Sequence, residues 1–143
     1  MSMSAVKLIL DACTQTGLSP GMEDLAVEQK DGYLLVSFNG KFTAQAGKQV
    51  IDEMIRASQE TGTRLVVLDC REMIGKMPLF EKFEVAVYGR HTIGILSRAA
   101  IIARPDQIDP DNFVVTVATN RGYNLNVFAD LNEGIEWVTK EQG

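Results

Sequence analysis

Leu65-Val66-Val67-Leu68-Asp69 is a row of four apolar side chains closed by a carboxylate. A strand with one face on water alternates apolar and polar residues. A run without alternation fits a strand buried on both faces, as in a parallel sheet. Parallel strands need long crossovers, usually helices, and the flanking sequence supplies candidates. Upstream, from Thr43 to Thr61, residues Gly47, Val50, Ile51, Met54, Ile55 and Ser58 recur at helical spacing. Lys48, Asp52, Glu53, Arg56 and Gln59 fill the opposite side. Thr43 suits the N-cap and Gly62 the C-terminal stop. Downstream, Cys70 to Met77 reads as a loop, and Pro78 fits the first turn of a helix, where its missing N–H costs nothing. Leu79, Phe80, Phe83, Ala86, Val87 and Arg90 give that helix a broad apolar stripe.

The same reading extends outward. Leu25 to Gln29 alternates, Asp31-Gly32 signals a hairpin turn, and Tyr33 to Phe38 is rich in aromatic and β-branched residues. Asn39-Gly40 reads as a second turn. Ala99 to Ala103 is another short buried strand, broken by Arg104-Pro105-Asp106. Phe113 to Thr119 favours strand by composition. However, its apolar residues have helical spacing, Asp109-Pro110 looks like an N-cap and Gly122 like a stop, so a helix is predicted. Leu125 to Phe128 is the last strand. Asp130 and Glu133 open a final helix as a capping box, with Leu131, Ile135 and Val138 facing inward and Trp137 at the shoulder. The order β-β-α-β-α-β-α-β-α implies an α/β fold, a largely parallel sheet covered by helices. Residues 1–23 read as an extension. In it Ser4 caps a short helix with Val6, Ile9, Leu10 and Cys13 on one face, followed by a turn at Ser19-Pro20-Gly21. Residues 24–143 form the expected single domain.

A chain of 143 residues with 45% apolar and 23% charged residues has ordinary globular composition. It is large enough to bury one real core. A net charge of −5 without any basic run excludes nonspecific nucleic-acid binding, which needs a basic face. No apolar stretch approaches the ~18–20 residues of a membrane span. Cys13 and Cys70 are far apart and in no metal or redox spacing, so a reducing, cytoplasmic setting is expected. His91 is the sole histidine. It lies near a helix C-terminus, where a cation suits the dipole. No histidine-based metal site and no nucleophile–histidine arrangement can be assembled, and no G-x-G-x-x-G or Walker pattern occurs. Neither a catalytic set nor a cofactor is expected.

The element order resembles the STAS domain, the fold of anti-sigma-factor antagonists. More specifically the chain resembles the SpoIIAA-like family, whose members are also similar to CRAL-TRIO lipid-transfer domains. The resemblance covers roughly Asp24 to Lys140. It rests on Leu65 to Arg71, the helix around Phe80 to Tyr88, the strand Ala99 to Ala103, and Asn120-Arg121-Gly122 leading to Val127-Phe128-Ala129-Asp130 and Trp137. It implies a regulatory or binding role. In anti-sigma-factor antagonists the loop after the third strand carries a phosphorylatable serine whose charge controls docking to a kinase partner. Here the matching stretch, Cys70 to Pro78, contains no serine or threonine, so the phospho-switch is not carried over.

Ligands of open parallel sheets sit beyond the carboxyl ends of the strands. That end gathers Asp69, Arg71, the loop to Met77, Arg104 and Asp106. Arg71 and Arg104 beside two helix N-termini suit an anion; the alternative is local pairing with Glu72, Asp106 or Asp109. Met73, Ile74, Lys76 and Met77, with Phe80 on the following helix, suit an adaptable contact surface for a protein or an acyl chain. The alternative is that they fold back over the helix. Asp69 suits a general base or, more simply, a turn residue. The expected function is a regulatory module that docks a protein partner through the Cys70–Phe83 segment. The other expectation is a carrier of a small apolar or anionic ligand, identified by an apolar pocket between the helix Phe80–Tyr88 and the sheet. The N-terminal helix is a candidate for homodimerisation or for membrane-surface contact, the latter weak because Lys7 is its only basic residue.

Overall fold

In the computed structural model, which describes residues 25–140, the apolar runs form one five-stranded sheet in the order β1-β2-β3-β4-β5. The expected N-terminal helix lies outside the described residues. Strand β1 (Leu25–Gln29) pairs antiparallel with β2 (Leu34–Lys41), joined at the expected Asp31-Gly32 turn. Strands β3 (Leu65–Ile74), β4 (Arg98–Ile102) and β5 (Leu125–Phe128) follow in parallel.

Helix α1 (Ala44–Thr61) crosses from β2 to β3. The Thr43 side chain accepts a hydrogen bond from the Ala46 N–H, and Gly62 ends the helix at φ 78°, a left-handed conformation that suits glycine. Helix α2 (Leu79–Tyr88) runs into a short 3-10 turn, Gly89–Thr92. Helices α3 (Phe113–Asn120) and α4 (Leu131–Thr139) flank β5. The Asp130 carboxylate caps α4 by accepting from the Glu133 N–H, as its sequence predicts. Helices α1, α2 and α3 cover one face of the sheet; α4 covers the other. The period of two along each strand sorts the core accordingly. Val66, Leu68 and Cys70 point to the three-helix side and Val67 to the α4 side. Gly134 lets α4 lie close on β4, because a Cβ there would run into the Ile102 side chain.

Three local expectations are corrected. Asn39-Gly40 is not a turn: β2 continues through it to Lys41. The expected loop from Cys70 is strand as far as Ile74, paired with β2 through Lys41↔Ile74. Both errors share one cause. Ser37 faces Asp69 and Asn39 faces Glu72, so β3 holds one extra residue there, a bulge that carries the pair beyond the end of β4. Third, Asp109-Pro110 does not cap α3. The helix begins at Phe113, after Asn112 at φ 54°, and Asp109 is instead engaged by Lys82.

Candidate functional site

The carboxyl ends of β3 and β4 bring Asp69, Arg71, Met73 and Arg104 together, as the parallel topology requires. Their polar groups are committed locally. Asp69 accepts from the Arg71 backbone N–H at 3.1 Å and from its guanidinium at 2.9 and 3.0 Å. Burial alone would raise the Asp69 pKa, but these bonds and the Arg71 charge outweigh it and hold the carboxyl below its ordinary value. A carboxylate so held is a weak proton acceptor. Arg104 donates from Nη1 to the carbonyls of Arg71 and Met73 and reaches Asp106 at 3.4 Å. Gln107 accepts from the Arg104 N–H and donates to the Met73 carbonyl. Arg71 thus pairs with Asp69 rather than with Glu72, and Arg104 pairs with Asp106 as the local alternative expected.

The hydrophobic members of the predicted surface divide. Met77 is only 8% exposed and belongs to the interior, and Met73 packs half-buried against the three-helix core. Ile74 and Phe80 are 64% and 76% exposed; Leu79 and Phe83 are also open, and Lys76 lies beside them in sequence and exposed. The broad apolar stripe of α2 is therefore partly an outward face, as expected of Phe80 in a contact surface. On α2, Lys82, Val85 and Ala86 turn inward onto the space beneath the helix, and Tyr88 packs against the core. Phe83 stacks at a tilt on Phe113 of α3, with the Arg121 guanidinium 5.3 Å from its ring.

Behind α2 lies a partly open cavity of about 170 Å³. Its walls come from α1 (Val50, Met54), the sheet (Leu68, Ile101), α2 (Val85) and α3 (Val114), and are almost wholly apolar. This is the pocket between the helix and the sheet that the carrier reading requires. The Cys70 thiol also lines it, and burial pushes that thiol's pKa up to about 12. Lys82 and Asp109, an ion pair at 2.7 Å linking α2 to the segment before α3, form part of the wall. Tyr123 closes another side, its hydroxyl donating to the Ala86 carbonyl, and burial raises its phenol to about 12.

Sequence reasoning missed Lys82 and Tyr123, and gave Asp109 a role as helix cap or arginine partner rather than as the partner of Lys82. Lys82 sits between Glu81 and Glu84 and reads as part of a solvated face; its partner is 27 residues away. His91 accepts no metal-like set of neighbours. Its Nδ1 lies 2.9 Å from the Tyr88 carbonyl. Among the described residues, no group of three His, Cys, Asp or Glu side chains converges, and no helix is long and apolar enough to cross a membrane.

No protein-family model matches the sequence, and no curated protein matches it. Solved structures do. An uncharacterised protein of the DUF3478 family with a SpoIIAA-like fold, from Shewanella loihica PV-4, is 20% identical with a TM-score of 0.51, over 80% of this chain and 91% of its own. An anti-sigma factor antagonist from Mycobacterium paratuberculosis is 17% identical with a TM-score of 0.53, over 81% of this chain and 93% of its own. At these identities the likeness establishes the fold: the chain has the SpoIIAA-like architecture expected from its element order.

Proposed function

We propose that this SpoIIAA-like domain is a non-enzymatic regulatory module that docks a protein partner through the outward face of α2. One observation carries the reading: Ile74, Leu79, Phe80 and Phe83 are large, apolar and exposed on consecutive segments. Isolated exposed apolar residues are ordinary, whereas a cluster on one face marks an interaction surface. Aromatic anchors ringed by polar groups are the usual energetic centre of such surfaces. Lys76 and Arg121 flank the cluster, so the partner offers an apolar groove with an acidic rim. In the anti-sigma-factor antagonists that the chain resembles, the charge of a phosphorylatable serine in the matching loop controls docking. Here, with no serine or threonine from Cys70 to Pro78, docking is constitutive or controlled by other means.

Ile74→Asp and Phe80→Asp test the surface. Each puts a charge where water already reaches, so unfolding midpoints stay within about 0.5 kcal/mol of the parent. Met77 is unsuitable for this test, because a charge at a buried position would damage the core. A partner identified by crosslinking to the parent protein is lost with both variants. Capture that survives both overturns the surface.

A second reading rests on the cavity behind α2. Clefts that hold small molecules are concave, mainly apolar and carry a few placed polar groups. The walls here fit that description. On this reading the domain carries a small apolar ligand, and native mass spectrometry of freshly purified protein shows a bound mass. A clean apo mass, together with no uptake of added amphiphile, overturns it.

A further inference from the structure

We propose that the cavity binds a single-chain carboxylate amphiphile, its tail among Val85, Ala86, Ile101 and Val114 and its carboxylate on Lys82. This rests on the carrier reading and names the ligand class. Size limits the tail. A void of about 150 Å³ holds a benzene ring, so about 170 Å³ accepts roughly six to eight carbons, the size of one short chain.

The head group follows from what the wall leaves available. Of the five hydroxyl and amide side chains in the wall, three are engaged within the protein, and the other two, Asn112 and Asn124, are neutral amides. The Tyr123 hydroxyl is on the Ala86 carbonyl, the Thr92 hydroxyl on the Gly89 carbonyl, and Gln107 uses both its amide oxygen and its amide nitrogen. The charged wall residues are Lys76, Lys82 and Asp109, two cations against one anion, in a chain whose net charge is −5. An ammonium has three donors, and Asp109 takes one of those on Lys82. The pair is well shielded, with Lys82 14% and Asp109 19% exposed. A carboxylate arriving there meets a cation screened little by salt, with Lys76 adding attraction from the rim. The excess cation is Lys76, exposed to water at the rim, so a monoanion gains attraction from it and shares the Lys82 ammonium with Asp109, whereas a neutral head gains neither.

The test is titration of the full-length protein with octanoate, 1-octanol and acetate, followed by calorimetry and amide NMR. Octanoate binds about tenfold to a hundredfold more tightly than octanol, the range expected of a charge-assisted contact, and acetate does not bind. Amide shifts fall on α2, α3 and β4. Lys82→Met brings octanoate to the octanol level. Because that variant leaves Asp109 half-buried and without its cation, Lys82→Met/Asp109→Asn is measured beside it and gives the same equalisation in a neutral wall. Ala86→Leu, which fills the space, abolishes both octyl ligands. Equal binding of octanoate and octanol by the parent overturns the carboxylate and leaves the carrier reading standing. Binding of neither overturns both. Octanoate binding that ignores Ala86→Leu places the ligand elsewhere and overturns the site.

Discussion

Ala86 lies on the inner side of α2, buried and lining the cavity. Replacing it with leucine adds three carbons where the structure holds open space of about 170 Å³. Burying three carbons at about 0.8 kcal/mol each gives roughly 2.4 kcal/mol. Ordering the leucine side chain costs about 0.5–1 kcal/mol. Helix propensity barely changes between alanine and leucine. The net expectation is a gain of about 1.5 kcal/mol, or about 5 °C in Tm for a chain of this size. The assay is urea unfolding followed by the fluorescence of Trp137, the sole tryptophan, which packs against Phe128 on the far side of the sheet and so reports global unfolding. The midpoint rises while the slope with urea stays constant. A core without a void responds in the opposite sense, losing about 1–3 kcal/mol to overpacking. A lowered midpoint therefore refutes the cavity, and with it the carrier reading built on it.

Asp130→Ala removes the carboxylate that accepts from the Glu133 N–H and costs about 1 kcal/mol, while Asp130→Asn costs little; urea midpoints of the two variants check this. Cys70 resists iodoacetamide at pH 8.5 in the native protein and reacts on denaturation, read by peptide mass at that position so that Cys13 does not confuse the count. The same thiol couples stability to alkaline pH. It releases its proton near 9.0 when unfolded and near 12 when folded, so the folded form holds a proton the unfolded form has lost. Stability is intact below pH 9 and falls as pH rises from 9 toward 12, by up to about 1.4 kcal/mol per unit from this group. Cys70→Ala makes the decline shallower, in a series of urea titrations across that range.

Most elements were legible because their signals are local. Thr43, Gly62 and Asp130 declare helix ends through chemistry that acts within four residues. The apolar run at Leu65 declares a doubly covered strand. The errors fell where a distant partner decided the outcome. Asn39-Gly40 has good turn chemistry, but β3 pairs with it and keeps it extended. Asp109-Pro110 has good capping chemistry, but Lys82 holds the carboxylate. The stripe on α2 has helical periodicity, yet periodicity cannot say whether Leu79 and Phe80 meet a neighbour or water. The cavity was expected only as a test of one reading. Its walls draw on three helices and three strands, so no window of sequence contains it.

The bonds from Arg104 and Gln107 to β3 have a further consequence. Beyond Asp69, β4 has ended, and the carbonyls of Arg71 and Met73 would form an open ladder on that side of β3. Two side chains occupy it in place of a strand. An unoccupied stretch of this kind is a template on which another chain can add itself, and natural sheets blunt such edges with charge or cover. Arg104 and Gln107 thus act as a plug against intermolecular strand addition, and their loss would be felt first as self-association at high concentration, before any loss of fold.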